Sequence, residues 1–197
     1  MSFRIEQKLL INSSQIFTFK KWLNDMGYKK LYSDRVVNSL YFENVGNSIF
    51  LDSEEGILPR KKIRVRNYPQ GNAEEFFLEN KISSSEGRFK KKEIIKKTEF
   101  EKIKKTGYYD KLYSSCHPKL YVTYSREYYN CETSRLTIDT NISYKDYRNT
   151  NFDKKDSSIA VEIKTNPNHN LDDLLKQFPF QRIRFSKYSR GFISLYS

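Results

Sequence analysis

The sequence predicts an α+β fold: an antiparallel β-barrel of eight strands with helices packed on its outside, in a single domain over residues 1–197. Three observations lead there. Seven segments alternate apolar and polar residues with period two, which gives each strand one core face and one polar face. Other segments show helical periodicity with start and stop signals. The polar strand faces are also charged and lopsided, with twelve cations on them against four carboxylates. A solvated antiparallel face is the ordinary source of such alternation. Like charges two residues apart on one face repel, however, so a face this basic implies a bound anion. Closing the sheet removes its edges and can enclose a polar lumen.

The elements follow in order. Residues 4–11 set Arg4, Glu6 and Lys8 against Ile5, Leu9 and Ile11. Ser13 or Ser14 caps a helix running to about Met26, with Ile16, Phe19, Leu23 and Met26 on one side and Gly27 as its stop. Strand 61–66 sets Lys62, Arg64 and Arg66 against Ile63 and Val65, and strand 76–82 sets Glu79 and Lys81 against Leu78 and Ile82. Strand 88–92 aligns Arg88, Lys90 and Lys92. Thr98 and Glu101 form a capping box before a short helix with Phe100 and Ile103 as its stripe. Strand 120–128 aligns Tyr124 and Arg126, with Leu120 and Val122 on the same face. Strand 134–142 sets Arg135, Thr137 and Asp139 against Leu136, Ile138 and Ile142, and strand 159–164 sets Glu162 and Lys164 against Ile159, Val161 and Ile163. Asn170 opens a third helix, with Leu171, Leu174, Leu175 and Phe178 as its apolar side and Pro179 as its end. A fourth helix runs from Ser186 to the C-terminus.

Composition narrows the chemistry. An aromatic share of 15 % argues against disorder. A formal charge of +12 attracts polyanions: nucleic acid, nucleotides, anionic lipid or condensed phosphate. There is no G-x-x-x-x-G-K-[ST] loop, and only 7 glycines, which disfavours glycine-loop nucleotide folds. His117 and His169 are the only histidines and sit in loop-like sequence, and Cys116 and Cys131 make neither a disulfide framework nor a zinc set. No apolar run approaches the roughly 18 residues of a membrane span, and residues 1–6 lack a signal-peptide core, so a cytoplasmic protein is expected. Any chemistry must run on Lys, Arg, Asp, Glu and Tyr. Cations that neutralise phosphate oxygens, beside carboxylates that hold a hard cation, suit a triphosphate or polyphosphate chain with a divalent metal.

An ordered series of short motifs makes this specific. Arg4-x-Glu6-x-Lys8, Ser39-Leu40-Tyr41-Phe42-Glu43, Lys62-Ile63-Arg64-Val65-Arg66, Glu79-Asn80-Lys81, Arg88-Phe89-x-Lys91, Tyr124-Ser125-Arg126, Leu136-Thr137-Ile138-Asp139, Val161-Glu162-Ile163-Lys164 and Ser186-Lys187-Tyr188 span nearly the whole chain. The series resembles the VTC-domain polyphosphate polymerases, members of the triphosphate tunnel (CYTH-like) superfamily. The resemblance implies an eight-stranded tunnel in which the γ-phosphate of ATP is transferred onto inorganic polyphosphate, with Mn²⁺ or Mg²⁺. It implies phosphate contacts from Lys8, Arg64, Arg66, Lys81, Arg126 and Lys187, with Tyr124 beside them. Lys164, Arg88 and Lys91 would be further contacts. Glu162 would be the main metal ligand, with Asp139 and Glu6 as secondary candidates. It also implies an early helix after the strand at Ser39–Glu43. CYTH-type triphosphatases carry a glutamate where Arg4 stands, which favours a polymerase over a triphosphatase. The expected partners are ATP and inorganic polyphosphate, with no nucleic acid and no transmembrane segment, leaving room for a membrane partner protein.

Rival readings exist. Arg64 and Arg66 are ordinary exposed strand charges in one, and Glu162 merely pairs with Lys164 in another. A triphosphatase or a non-catalytic polyphosphate-binding module would use the same fold. A nucleic-acid-binding module would explain the charge, but no RNP1-like or KH-like signature is present.

Overall fold

The computed structural model describes residues 5–72, 74–149, 151–165, 176 and 185–197. In chain order its elements are β1 (Ile5–Ile11), α1 (Ile16–Asp25), β2 (Lys29–Glu43), α2 (Ser48–Glu55), β3 (Arg60–Asn67), β4 (Glu75–Ser84), β5 (Gly87–Lys96), α3 (Lys97–Thr106), β6 (Tyr108–Asp110), β7 (Ser114–Asn130), β8 (Ser134–Asp146), β9 (Asp153–Asp156), β10 (Ile159–Thr165) and α4 (Lys187–Tyr196). The expected α+β fold is present. Eight strands follow one another as β1-β10-β8-β7-β2-β3-β4-β5, with short β6 on β7 and short β9 on β8, and every pairing with a known register is antiparallel. Among the described residues no helix is long and apolar enough to cross a membrane. Cys116 and Cys131 are free thiols, and His117 is exposed. Arg4, His169 and the helix expected from Asn170 lie outside the described residues.

The contacts divide the chain into two compact units. The first comprises Met1–Arg35, Tyr124–Ile142 and Asp156–Phe185. Here β10 lies between β1 and β8, with Lys8 opposite Glu162, Glu162 opposite Thr137 and Glu6 opposite Lys164. That register puts Leu9, Val161 and Ile138 on the other face, where Phe19 and Leu23 of α1 join them in a buried core with Ile11, Leu136 and Ile163. The cap of this helical segment is Asn12 instead of the expected serines. Its side chain accepts the Gln15 N–H in a capping box that opens a 3-10 turn, Ser13–Gln15, ahead of α1.

The second unit comprises Val36–Thr123, Ser143–Lys155 and Ser186–Ser197. Its β3, β4 and β5 form a meander beside the second half of β2. α3 covers the apolar face of that meander through Phe100, which stacks on Phe76 at 4.5 Å. The expected capping box of α3 does not form: Lys96 is the N-cap, Thr98 lies inside the helix, and no side chain caps it. α4 begins at the expected Ser186, whose hydroxyl caps it by accepting the Ser189 N–H. It packs closely at Gly191, where an added Cβ would lie 2.6 Å from the Tyr144 ring and 2.9 Å from Leu120. Phe192 stacks face to face on Phe50 of α2 at 3.9 Å. α2 is the early helix that the resemblance implied.

Candidate functional site

In the second unit the alternation of β3 sends Lys62, Arg64 and Arg66 to one face, and the register fixes their neighbours. Lys62, Lys81 and Lys90 stand side by side across β3, β4 and β5, as do Arg64, Glu79 and Lys92. Arg64 and Arg66 are each only 6 % exposed, which removes the reading as ordinary exposed strand charges. Arg64 donates to Glu79 from Nε at 2.8 Å and from Nη2 at 2.6 Å, and Nη1 donates to the Tyr41 hydroxyl at 2.7 Å. Arg66 Nε donates to Ser39 Oγ at 3.1 Å. Lys90 completes the group as a second ion-pair partner of Glu79.

The titration behaviour follows from this crowding. Burial alone would raise the Glu79 carboxyl, but Arg64, Arg66 and Lys90 override it and hold it at about 2. Lys90, 43 % exposed at its side chain, is still pushed down, because partial desolvation and two guanidiniums outweigh one carboxylate. Burial would also raise the Tyr41 phenol, yet Arg64, Arg66 and Lys187 bring it down. Such a row carries surplus positive charge.

α4 presents two further groups to this unit. Lys62 Nζ donates to Ser186 Oγ at 2.9 Å, so the capping serine ties β3 to the start of α4, where Lys187 is the first helical residue. Tyr188 stacks on Tyr41 at 4.9 Å. Glu43 closes β2 and is 3 % exposed. Burial pushes it up to about 8 against the pull of the Ile49 backbone N–H and of Lys119.

The first unit holds a second charged row of different balance. Lys164 lies 2.6 Å from Glu162 and 3.7 Å from Glu6, and Glu6 lies 3.5 Å from Lys8. The expected Glu162–Lys164 pair is therefore real. Burial would lower Lys164, and Glu162 and then Glu6 raise it instead. Arg126 makes a bidentate pair with Asp139, Nε to Oδ1 at 2.6 Å and Nη2 to Oδ2 at 2.7 Å, and lies over the Tyr124 ring at 5.2 Å. With Arg135 opposite Lys164 on the same face, three carboxylates stand against four cations in this row.

Two candidates fall elsewhere. Arg88 is exposed on β5, opposite Ser83. Lys91 is exposed and opposite Asn80, on the other face of β5 from Lys90 and Lys92. The sequence aligns Lys90 with Arg88 and Lys92 but assigns it no phosphate contact, and gives no site role to Tyr41, Ser39 or Glu43. The period-two pattern of 88–92 could have found Lys90, since it shares parity with Arg88 and Lys92.

A divalent metal fits part of this set. Asp139 is committed to Arg126 through both oxygens. Among the described residues no group of three or more His, Cys, Asp or Glu side chains converges as a metal site. Glu162 and Glu6, which meet at one ammonium, form a two-carboxylate oxygen set of the kind that Mg²⁺ or Mn²⁺ shares with substrate phosphates.

Comparison with known proteins bears on the family and the fold. The family model described as the VTC domain matches residues 3–196. No curated protein matches the chain by sequence. A Bacillus halodurans protein solved as a candidate adenylate cyclase is similar at a TM-score of 0.64 and 14 % identity, over 100 % of this chain and 98 % of that one. A candidate adenylyl cyclase from Hippeastrum, described as having a dominant triphosphatase activity, is similar at a TM-score of 0.62 and 17 % identity, over 98 % and 96 %. The PH1012 protein of Pyrococcus horikoshii reaches 0.57 at 13 % identity, over 91 % and 92 %.

Proposed function

For a chain that belongs to the VTC domain family, we propose the activity of a polyphosphate polymerase, transferring the γ-phosphate of ATP onto a growing inorganic polyphosphate chain. The observation that supports this most is the burial of Arg64 and Arg66 at 6 % exposure, with Glu79 as the carboxylate of their row. Two buried guanidiniums facing one carboxylate invite phosphate oxygens, which take two parallel N–H donors from each fork.

In this reading Lys8, Arg64, Arg66, Lys81, Arg126 and Lys187 neutralise phosphate oxygens, and Lys90 joins them. Tyr124 supports Arg126 through its ring. Arg88 and Lys164 serve as outlying contacts, and Lys91, on the other face of β5, makes none. Glu79 and Asp139 hold guanidinium forks in place, so that the donors are oriented before substrate arrives. The acceptor is already a phosphate anion and needs no general base. Repulsion between donor and acceptor is the main obstacle, and fixed cations lower it. Glu162, with Glu6, would hold the Mn²⁺ or Mg²⁺. When bound, that ion supplies charge neutralisation on the phosphates.

A triphosphatase is the second reading, favoured by the described activity of the Hippeastrum neighbour. Product analysis separates the two. The purified chain is incubated with ATP and Mn²⁺ and the products are resolved on a gel stained for polyphosphate. Long chains are expected; orthophosphate with ADP as the only product would establish the hydrolase instead.

A further inference from the structure

Within the first unit, Arg35 of β2 is exposed, and its guanidinium carbon lies 5.1 Å from the centre of the Tyr32 ring and 5.9 Å from that of Tyr128. The two rings meet edge to face at 5.7 Å. The neighbouring carboxylate does not neutralise this guanidinium: Asp34 is engaged by Lys30 at 2.7 Å, and no ion pair of Arg35 is found among the described residues. Tyr32 is 52 % exposed, so much of its ring is open to solvent. A half-exposed phenol ring beside an unneutralised guanidinium plane is poor packing for a core. It is good chemistry for a nucleobase, which stacks on aromatic rings and on arginine planes alike.

The position on β7 adds the second half of the argument. Tyr128 shares strand parity with Arg126 and Tyr124, so the three follow one another along one face. Two residues of strand span about 7 Å, a distance that a ribose and its first phosphate bridge. We infer that Tyr32, Arg35 and Tyr128 form a nucleobase platform that stacks the purine ring of a nucleotide whose phosphates run toward Arg126. This rests on the phosphate-binding reading above and deepens it: the chain would select a nucleotide over a bare triphosphate of the same charge.

The test compares two ligands that share phosphates and differ in the base. Titration calorimetry with ATP and with inorganic tripolyphosphate is run on the wild-type chain and on Tyr32→Ala, Arg35→Gln, Tyr128→Ala and Tyr128→Phe, each first shown to melt cooperatively. The expected result is that Tyr32→Ala and Tyr128→Ala each weaken ATP by about ten-fold. Tripolyphosphate should stay within two-fold, and Tyr128→Phe should keep wild-type affinity for both because the ring remains. Arg35→Gln should follow the alanine variants and, with both tyrosines intact, keeps the question open should a ring truncation fail to fold. Unchanged ATP affinity in these variants, or equal losses for both ligands, would overturn the platform while leaving the phosphate site standing. A wild-type chain that binds neither ligand would overturn the phosphate reading and the platform with it.

Discussion

The two charged rows differ in balance and in burial. In the second unit Arg64 and Arg66 are buried and face Glu79, which also serves Lys90. In the first unit three carboxylates, Glu6, Glu162 and Asp139, stand against Lys8, Lys164, Arg126 and Arg135, and Lys8 and Lys164 keep over a third of their side-chain surface. Burying charge is costly unless it is paired. In the proposed function the buried cations have given up stability for an anion, and the partly exposed Glu6 and Glu162 can exchange a lysine partner for a hard cation.

The sharpest way to break this contrast is to remove Arg64. Arg64→Ala leaves Glu79 buried without its main partner, and the expected loss is on the order of 3–5 kcal/mol in chemical denaturation. Arg64→Met with Glu79→Gln removes both charges of the pair. It should recover most of that stability and still fail to bind tripolyphosphate. Recovery of binding in the double variant would mean that the row serves folding alone.

Next in size is Glu162→Gln. It should abolish most turnover by weakening the metal, while metal-free tripolyphosphate binding stays intact or tightens, because one negative charge has left a basic face. Normal metal-dependent turnover of ATP in this variant would remove Glu162 from the metal. Unfolding would return it to the role of a structural ion-pair partner of Lys164.

The pH dependence gives a smaller effect of opposite sign at two sites. Glu79 is depressed, so its contribution is complete above the ordinary carboxylate range near 4.5 and lost as the pH falls toward about 2. Glu43 is raised, so its contribution is complete below about 4.5 and lost as the pH rises through about 8. Glu43→Gln should therefore melt higher than wild type at pH 9 and close to it at pH 5. A stabilisation independent of pH would show that the carboxyl does not titrate in the folded chain.

The smallest comparison is between neighbours on β5. Lys90→Ala should weaken tripolyphosphate several-fold, and Lys91→Ala, on the other face, should stay within two-fold.

The legible part of this molecule is the part where residue polarity follows a regular period. β1, β3, β8 and β10 largely alternate apolar and polar residues, which places the rows that hold Arg64 and Glu162, although burial itself does not alternate: Arg64 and Arg66 are nearly as buried as Val65 between them. β2 escaped as a full strand because Lys29–Arg35 is almost wholly exposed and carries no apolar alternation. The Asn12 cap was missed because three polar residues in a row offer competing caps, and the reciprocal bond with Gln15 decides among them only in three dimensions. Lys90 and Lys91 look alike in a basic run, and only the register opposite Glu79 and Asn80 tells them apart. Tyr41 and Glu43 lie in the Ser39–Glu43 motif, which marks a strand and not a site; their roles come from what α2 and α4 bring against the end of β2.

One calorimetric comparison separates the two rows most directly: metal-free tripolyphosphate titrated into wild type, into the variant combining Arg64→Met and Glu79→Gln, and into Glu162→Gln. The expected result is binding by wild type, loss of at least about ten-fold in the double variant from the missing charge-assisted hydrogen bonds, and equal or tighter binding in Glu162→Gln. Equal affinity in the double variant and wild type, or a loss confined to Glu162→Gln, would contradict the assignment of anion to the buried arginine row and metal to the carboxylate row.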